Sequence, residues 1–160
     1  MIETKYPMTQ AIRILKEKGV PFVIHVYAYE EHGGTAVVAR ELGVDEHRVV
    51  KTLVMETETK APFIVVMCGD KEVSTKNMAR YLGVKVVAPC RPETASKHTG
   101  YLVGGTSPFG TRRPLKIYVD RTIMDLPVIY INAGKRGLLA EMAPADMAGI
   151  LKPELVDVAA

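Results

Sequence analysis

The sequence predicts an α/β domain built on a mixed sheet, and three observations carry that expectation. Apolar segments of strand character recur about seven times along the chain. Helical stretches with recognisable start and stop residues fall between them. Two of the apolar segments, Val49 to Glu56 and Pro62 to Cys68, are separated only by the polar turn Thr57 to Lys60, so they read as a hairpin. Hairpins mixed with helical crossovers give a mixed sheet rather than a doubly wound parallel one.

Taken in order, Thr9 is placed to cap a first helix in which Ile12 and Leu15 share a face, and Lys18, Gly19 and Pro21 form its stop signal. Phe22 to Tyr29 alternates with period two and reads as a strand with two different faces. Gly33 and Gly34 break the chain. Thr35 caps a short helix through Leu42, Gly43 closes it, and Asp45 opens a further turn. After the hairpin, Ser74 caps a helix from Thr75 to Leu82 that ends at Gly83, and Val84 to Ala88 returns as a strand. Pro92 to His98 is a short helix with proline in its first turn. Gly104 to Pro114, dense in glycine and proline, reads as an ordered loop. Leu115 to Val119, Val128 to Asn132 and Leu138 to Met142 are strands, with a tight turn from Gly134 to Gly137, and Pro144 to Leu151 is the last helix.

The bulk properties narrow the class. With 160 residues, 48% hydrophobic and 24% charged, residues 1–160 are expected to form one compact domain that closes its core without disulfides or a metal. No stretch approaches the about 18 apolar residues of a membrane span, and the first residues lack a cationic segment leading into an apolar one. A cytoplasmic protein without membrane contact is expected. Cys68 and Cys90 have neither the spacing of a metal knuckle nor the density of a secreted scaffold, and read as free thiols. A formal charge of +3 is small for a protein that holds nucleic acid by bulk electrostatics, which leaves a local patch as the alternative.

Candidate chemistry concentrates in a few places. Glycines in Tyr101-Leu102-Val103-Gly104-Gly105-Thr106-Ser107-Pro108-Phe109-Gly110 let backbone N–H groups approach a ligand, and Pro108 stiffens them in advance. Neither GxGxxG nor GxxxxGK[ST] occurs there, so the segment reads either as an ordered turn or as a cradle for an ester carbonyl or phosphate. Lys51 interrupts an apolar strand and either snorkels to solvent or lines a cleft, where a fixed cation stabilises charge on a phosphate or carbonyl oxygen. Arg112, Arg113 and Lys116, and again Lys135 and Arg136, gather beside glycine-rich turns and read as a solvated face or as phosphate contacts for a polyanion. His25, His32, His47 and His98 have no HxH, HxxxH or HExxH spacing, and no nucleophile elbow is present. No metal and no cofactor are expected.

Four motifs in order resemble the YbaK family of aminoacyl-tRNA editing proteins, relatives of the editing domain inserted in bacterial prolyl-tRNA synthetases. They are Lys51-Thr52-Leu53-Val54, Gly69-Asp70-Lys71-Glu72-Val73-Ser74, Thr99-Gly100-Tyr101-Leu102-Val103-Gly104-Gly105 with Ser107-Pro108 and Gly110, and Gly134-Lys135-Arg136-Gly137-Leu138. The likeness runs from about Thr9 to Leu151. It implies a mixed central sheet, partly closed like a barrel, with helices around it. It also implies hydrolysis of mischarged tRNA, typically cysteinyl- or alanyl-tRNA for proline, with prolyl-tRNA synthetase as the related partner.

On that resemblance Lys51 is the central functional residue, and Gly104, Gly105 and Ser107 supply donors to the aminoacyl group. Tyr27 bounds the pocket, with Thr52, Thr106, Pro108, Asn132 and Gly134 contacting substrate. Arg112, Arg113, Lys135 and Arg136 guide tRNA. Asn132-Ala133 stands where cysteinyl-tRNA deacylases of the family tend to have Ser-Gly, and Leu139 where they tend to have Asp. Those positions bear on which amino acid is removed. The rival reading is a non-catalytic tRNA- or nucleotide-binding module associated with an aminoacyl-tRNA synthetase.

Overall fold

A computed structural model describes residues 6–160. Local signals near the N-terminus act as the sequence leads one to expect. Thr9 accepts a hydrogen bond from the Ile12 N–H at 3.1 Å and caps α1 (Gln10–Lys18), which buries Ala11, Ile12 and Leu15 and ends at Gly19. Strand β1 is shorter than its alternating pattern, Val23–Val26, because only those residues find a partner in the sheet. Helix α2 (Gly34–Leu42) begins two residues earlier than expected, with Gly33 rather than Thr35 at its N-cap. The Thr35 hydroxyl is directed elsewhere, its single proton shared between the Glu46 carboxylate at 2.8 Å and the Gly69 carbonyl at 3.1 Å. Asp45 opens a 3-10 turn (Glu46–Arg48) by accepting from the His47 N–H.

The hairpin forms as predicted from β2 (Val50–Thr57) and β3 (Pro62–Cys68), in antiparallel register with Lys51 opposite Met67 and Thr52 opposite Val66. Ser74 caps α3 (Thr75–Leu82) through the Asn77 N–H. β4 (Val87–Pro89) is shorter and later than Val84 to Ala88, and α4 (Pro92–Thr99) follows it. β5 (Lys116–Asp120), β6 (Ile129–Asn132), β7 (Leu138–Met142) and α5 (Pro144–Leu151) lie within a residue of their expected bounds. Two elements carry no expectation, a 3-10 helix at Arg121–Asp125 and a last strand, β8 (Glu154–Val156). Three residues are too few to show a period, and β8 is defined only by its parallel pairing with β5.

The strands assemble as two sheets, not as one sheet partly closed into a barrel. Five strands lie in the order β4-β2-β3-β5-β8 and three in the order β1-β7-β6, joined by a single parallel bridge between Val49 and Tyr130. The larger sheet is mixed, antiparallel around β2 and parallel from β3 to β8. Its central strand β3 is buried on both faces, which is why its sequence is continuously apolar. Ile64, Val66 and Cys68 face a cluster shared with α1, β6, β7 and α5, while Phe63, Val65 and Met67 face α3 and β8.

Ile64 is wholly buried in this packing. Ile64→Ala is expected to cost about 2–5 kcal/mol of unfolding free energy in a urea titration. A loss under about 1 kcal/mol would contradict this description of the core. Among the described residues no helix is long and apolar enough to cross a membrane.

Candidate functional site

Strand β2 builds one wall of the site because only part of its second edge is paired. β4 covers that edge from Met55 to Thr57, and the Cys90 N–H extends the pairing to the Val54 carbonyl at 3.0 Å. The preceding stretch borders a cleft of about 730 Å³, a volume suited to a small organic group. Lys51 and Thr52 both line it, together with Val50, Val54, Cys90 and Ala95. Successive strand residues point to opposite faces, so the two reach the cleft from different directions rather than as a side-chain pair. The Lys51 side chain is 18% exposed, and its Nζ lies 3.0 Å from Oε1 of the well-exposed Glu72. The Thr52 hydroxyl is buried and meets no hydrogen-bond partner among the described residues.

The opposing wall is the glycine-rich loop, held by the turn between β6 and β7. The Asn132 carboxamide donates to the Gly104 carbonyl at 3.0 Å and accepts from the Gly134 N–H at 2.8 Å. Arg136 Nε donates to the Val103 carbonyl at 2.9 Å, while its guanidinium lies 5.2 Å from the centre of the Tyr29 ring. A trans peptide directs its N–H opposite to its carbonyl, so the Gly104 N–H faces away from Arg136. Among the described residues the N–H groups of Gly104 and Thr106 meet no acceptor. Both residues line the cleft, as do Lys51 and Thr52 of β2.

Tyr27 and Tyr29 close one end. The Tyr27 N–H donates to the Gly137 carbonyl at 2.9 Å, fixing the chain just past β1, and burial raises the pKa of its phenol. A raised phenol stays protonated and available as a donor at neutral pH. Tyr29 carries no expectation from the sequence, although it shares the parity of Tyr27 in the alternating run.

Several expected residues occupy other positions. Ser107 is fully buried and its Oγ accepts from the Phe109 N–H at 3.2 Å. Phe109 is itself anchored in the core, its carbonyl accepting from the Tyr101 hydroxyl at 2.5 Å. Ser107 is therefore committed to shaping the loop and does not line the cleft. Gly105 packs on the backbone of Lys135 and Arg136, where an added Cβ would fall 2.7 Å from the Arg136 nitrogen. Gly134 packs against Tyr101 and Thr9, and Pro108 is buried.

The basic residues divide. Arg136 reaches the cleft from the β6–β7 turn and Lys135 is its neighbour in that turn. Arg112 and Arg113 lie instead at the end of α4, where Arg112 lines a separate shallow depression with Gln10 and Tyr101, and Arg113 Nη1 is 3.2 Å from His98 Nδ1. Burial, with Arg113 next in size, lowers the pKa of the His98 imidazole.

Cys90 is the one thiol in the cleft lining. Burial, aided by a hydrogen bond with Glu56, pushes its pKa up to about 11. Below that value the neutral thiol dominates and nucleophilicity is low. Alkylation of Cys90 by iodoacetamide, followed by mass spectrometry, is expected to be slow at pH 7 and to accelerate as the pH rises toward 10. Rapid labelling at pH 7 would contradict this environment.

Comparison with known proteins identifies the family and the fold. A family model described as aminoacyl-tRNA editing domain matches residues 30–150. The chain is 29% identical over 151 residues to a protein of Enterococcus faecalis named "Putative Cys-tRNA(Pro)/Cys-tRNA(Cys) deacylase EbsC", covering 94% of this chain and 92% of that one. It is also 29% identical over 98 residues to a proline--tRNA ligase of Levilactobacillus brevis, covering 61% of this chain but only 17% of the ligase.

Among solved structures, "Crystal structure of a putative trans-editing enzyme for prolyl tRNA synthetase" superposes with TM-score 0.82 at 20% identity, over 97% of this chain and 99% of that one, which shows the shared fold. A second, of a hypothetical protein, superposes with TM-score 0.86 at 25% identity over 95% of this chain and all of that one. With the family match spanning most of the chain, and every lining residue of the cleft except Tyr27 and Tyr29 lying within it, the chain belongs to the YbaK-type aminoacyl-tRNA editing domain family.

Proposed function

We propose that the cleft receives the aminoacylated 3′ end of a mischarged tRNA and hydrolyses its ester, with cysteinyl- or alanyl-tRNA for proline as the substrate class. The observation that carries this reading is the pair of unengaged N–H groups, Gly104 and Thr106, opposite Lys51 across one cleft. Fixed donors aimed at a carbonyl oxygen stabilise the negative charge that develops there when water attacks. Water adds to the ester carbon, the bond to the terminal ribose oxygen breaks, and free amino acid and uncharged tRNA leave. Lys51 supplies a cation for the terminal phosphate or the carbonyl oxygen. The Thr52 hydroxyl gains a partner when substrate is bound, which removes the penalty of a buried unsatisfied group.

Val54, Cys90, Ala95 and Leu139 give the lining an apolar character suited to a small uncharged side chain. Asn132, by holding the loop, sets the distance between the donors and β2. Lys135 and Arg136 at the turn, with Arg112 and Arg113 farther along the surface, serve as phosphate contacts along the acceptor arm. The likeness to part of a proline--tRNA ligase supports prolyl-tRNA synthetase as a partner, and the cytoplasm, where charged tRNA is used, as the place of action. The test is a deacylation panel. Purified protein should release cysteine or alanine from tRNA(Pro) while sparing prolyl-tRNA(Pro). If every mischarged tRNA survives at catalytic protein concentration, the proposal fails.

A further inference from the structure

On the far end of the hairpin from its turn, three side chains with metal-binding atoms converge although 21 and 23 residues of sequence separate the first from the other two. His47 Nδ1 lies 2.9 Å from Asp70 Oδ1, and His47 Nε2 lies 4.0 Å from Cys68 Sγ. One ligand atom from each of the three falls within 4.8 Å of the other two. The backbone builds this convergence. Gly69 follows β3 so closely beneath the 3-10 turn that a Cβ there would overlap the Val49 carbonyl and fall 2.7 Å from that of Glu46. Only glycine permits the approach, and it sets Cys68 and Asp70 on either side of the residue that touches the turn bearing His47.

The surroundings favour a cation that prefers sulfur. Cys68 is fully buried, while the side chains of His47 and Asp70 are 30% and 42% exposed, so an ion would approach past the imidazole and carboxylate to reach the sulfur. Behind the sulfur, Thr122 Oγ1 lies 4.0 Å from Sγ and donates to the carboxylate of the buried Asp120. Two carboxylates thus flank the thiol.

We propose that His47, Cys68 and Asp70 form a binding site for a thiophilic divalent ion of the Zn²⁺ class, with three protein ligands and a fourth position open to water. A tetrahedral ion with nitrogen and oxygen ligands at about 2.0–2.2 Å and sulfur at about 2.3 Å needs ligand atoms about 3.3–3.8 Å apart. Reaching that spacing requires the two surface side chains to rotate, opening the His47–Asp70 hydrogen bond and closing on the sulfur. Binding exchanges the thiol proton for the ion, and the proton passes to solvent. The site is separate from the ester-binding cleft. It ties the 3-10 turn before β2 to the end of β3, where Cys68 pairs with Val50, and so braces the strand that carries Lys51.

The test uses the reduced full-length chain with Co²⁺ as a spectroscopic probe. The expected result is one equivalent of bound Co²⁺ with a thiolate-to-cobalt charge-transfer band in the near ultraviolet, displaced by Zn²⁺. Cys68→Ser should abolish the band and Cys90→Ser should keep it. His47→Gln and Asp70→Asn, at partly exposed positions that leave the core intact, should each weaken binding about tenfold or more. Absence of the band in large Co²⁺ excess, its survival in Cys68→Ser, or unchanged affinity in both His47→Gln and Asp70→Asn would overturn the proposal.

Discussion

Replacing Lys51 with alanine is expected to lower the rate of mischarged-tRNA deacylation by about 10²- to 10³-fold, the loss seen when one preorganised transition-state contact is removed. The effect should fall on chemistry rather than folding. Lys51 is paired with Glu72, whose side chain is 82% exposed, so the carboxylate left behind remains hydrated. Exposed ion pairs contribute about 0–1 kcal/mol, and the melting temperature should move little. Part of any loss could come from the aliphatic stem, which packs in a cleft wall. Lys51→Met keeps that stem and removes the charge, and it should be as impaired as Lys51→Ala. Single-turnover rates with circular dichroism melting curves decide the matter. A methionine variant with near-normal rate would show that the stem, not the cation, matters.

Gly104→Ala should be the second large effect. Gly104 has φ of +95°, a conformation that side-chain-bearing residues rarely adopt, and a Cβ there would fall 2.5 Å from the Tyr29 hydroxyl oxygen. Holding alanine in such a region costs about 1–3 kcal/mol, so the loop shifts and carries its N–H groups with it. A displacement of about 1 Å at a reacting centre costs about 10²-fold in rate. The expected result is therefore a rate loss of that order with a modest drop in melting temperature. Tyr29→Phe removes the hydroxyl but leaves the backbone strain, and adding it to Gly104→Ala should restore little. Full restoration would mean that crowding alone, not the backbone conformation, sets the loop.

What the sequence made legible divides by the range of the interactions. Thr9 and Ser74 as helix caps, Gly19 and Gly83 as stops, and the hairpin turn from Thr57 to Lys60 all act within a few residues, and all appear where the residue types place them. The arrangement of strands is a different matter. Whether β1, β6 and β7 join the larger sheet depends on pairings between distant residues, such as the bridge from Val49 to Tyr130, and no local pattern encodes it. Phe22 and Tyr27 to Tyr29 alternate as a strand should, yet they lie outside β1 because no partner strand extends alongside them.

The candidate site shows the same division. Lys51 and the glycine loop were legible through the order of family motifs, and the structure brings Lys51, Thr52, Gly104, Thr106, Asn132 and Arg136 to one cleft. Ser107 has the residue type of a donor but is drawn inward by the burial of Phe109 two residues on. Tyr29 was hidden because aromatic residues on an alternating run are ordinary core candidates. The convergence of His47, Cys68 and Asp70 was hidden because it depends on Gly69 passing beneath a turn far back in the chain.

The property that separates an editing hydrolase from a binding module is that its cleft turns substrate over rather than merely holding it. The most direct measurement is the molar ratio of amino acid released to protein present, with cysteinyl- or alanyl-tRNA(Pro) in large excess. Product is expected to rise well beyond one equivalent of protein, and to do so about 10²- to 10³-fold more slowly in Lys51→Ala. Saturable tRNA binding, with release that never exceeds spontaneous hydrolysis, would contradict it and leave a binding module in its place.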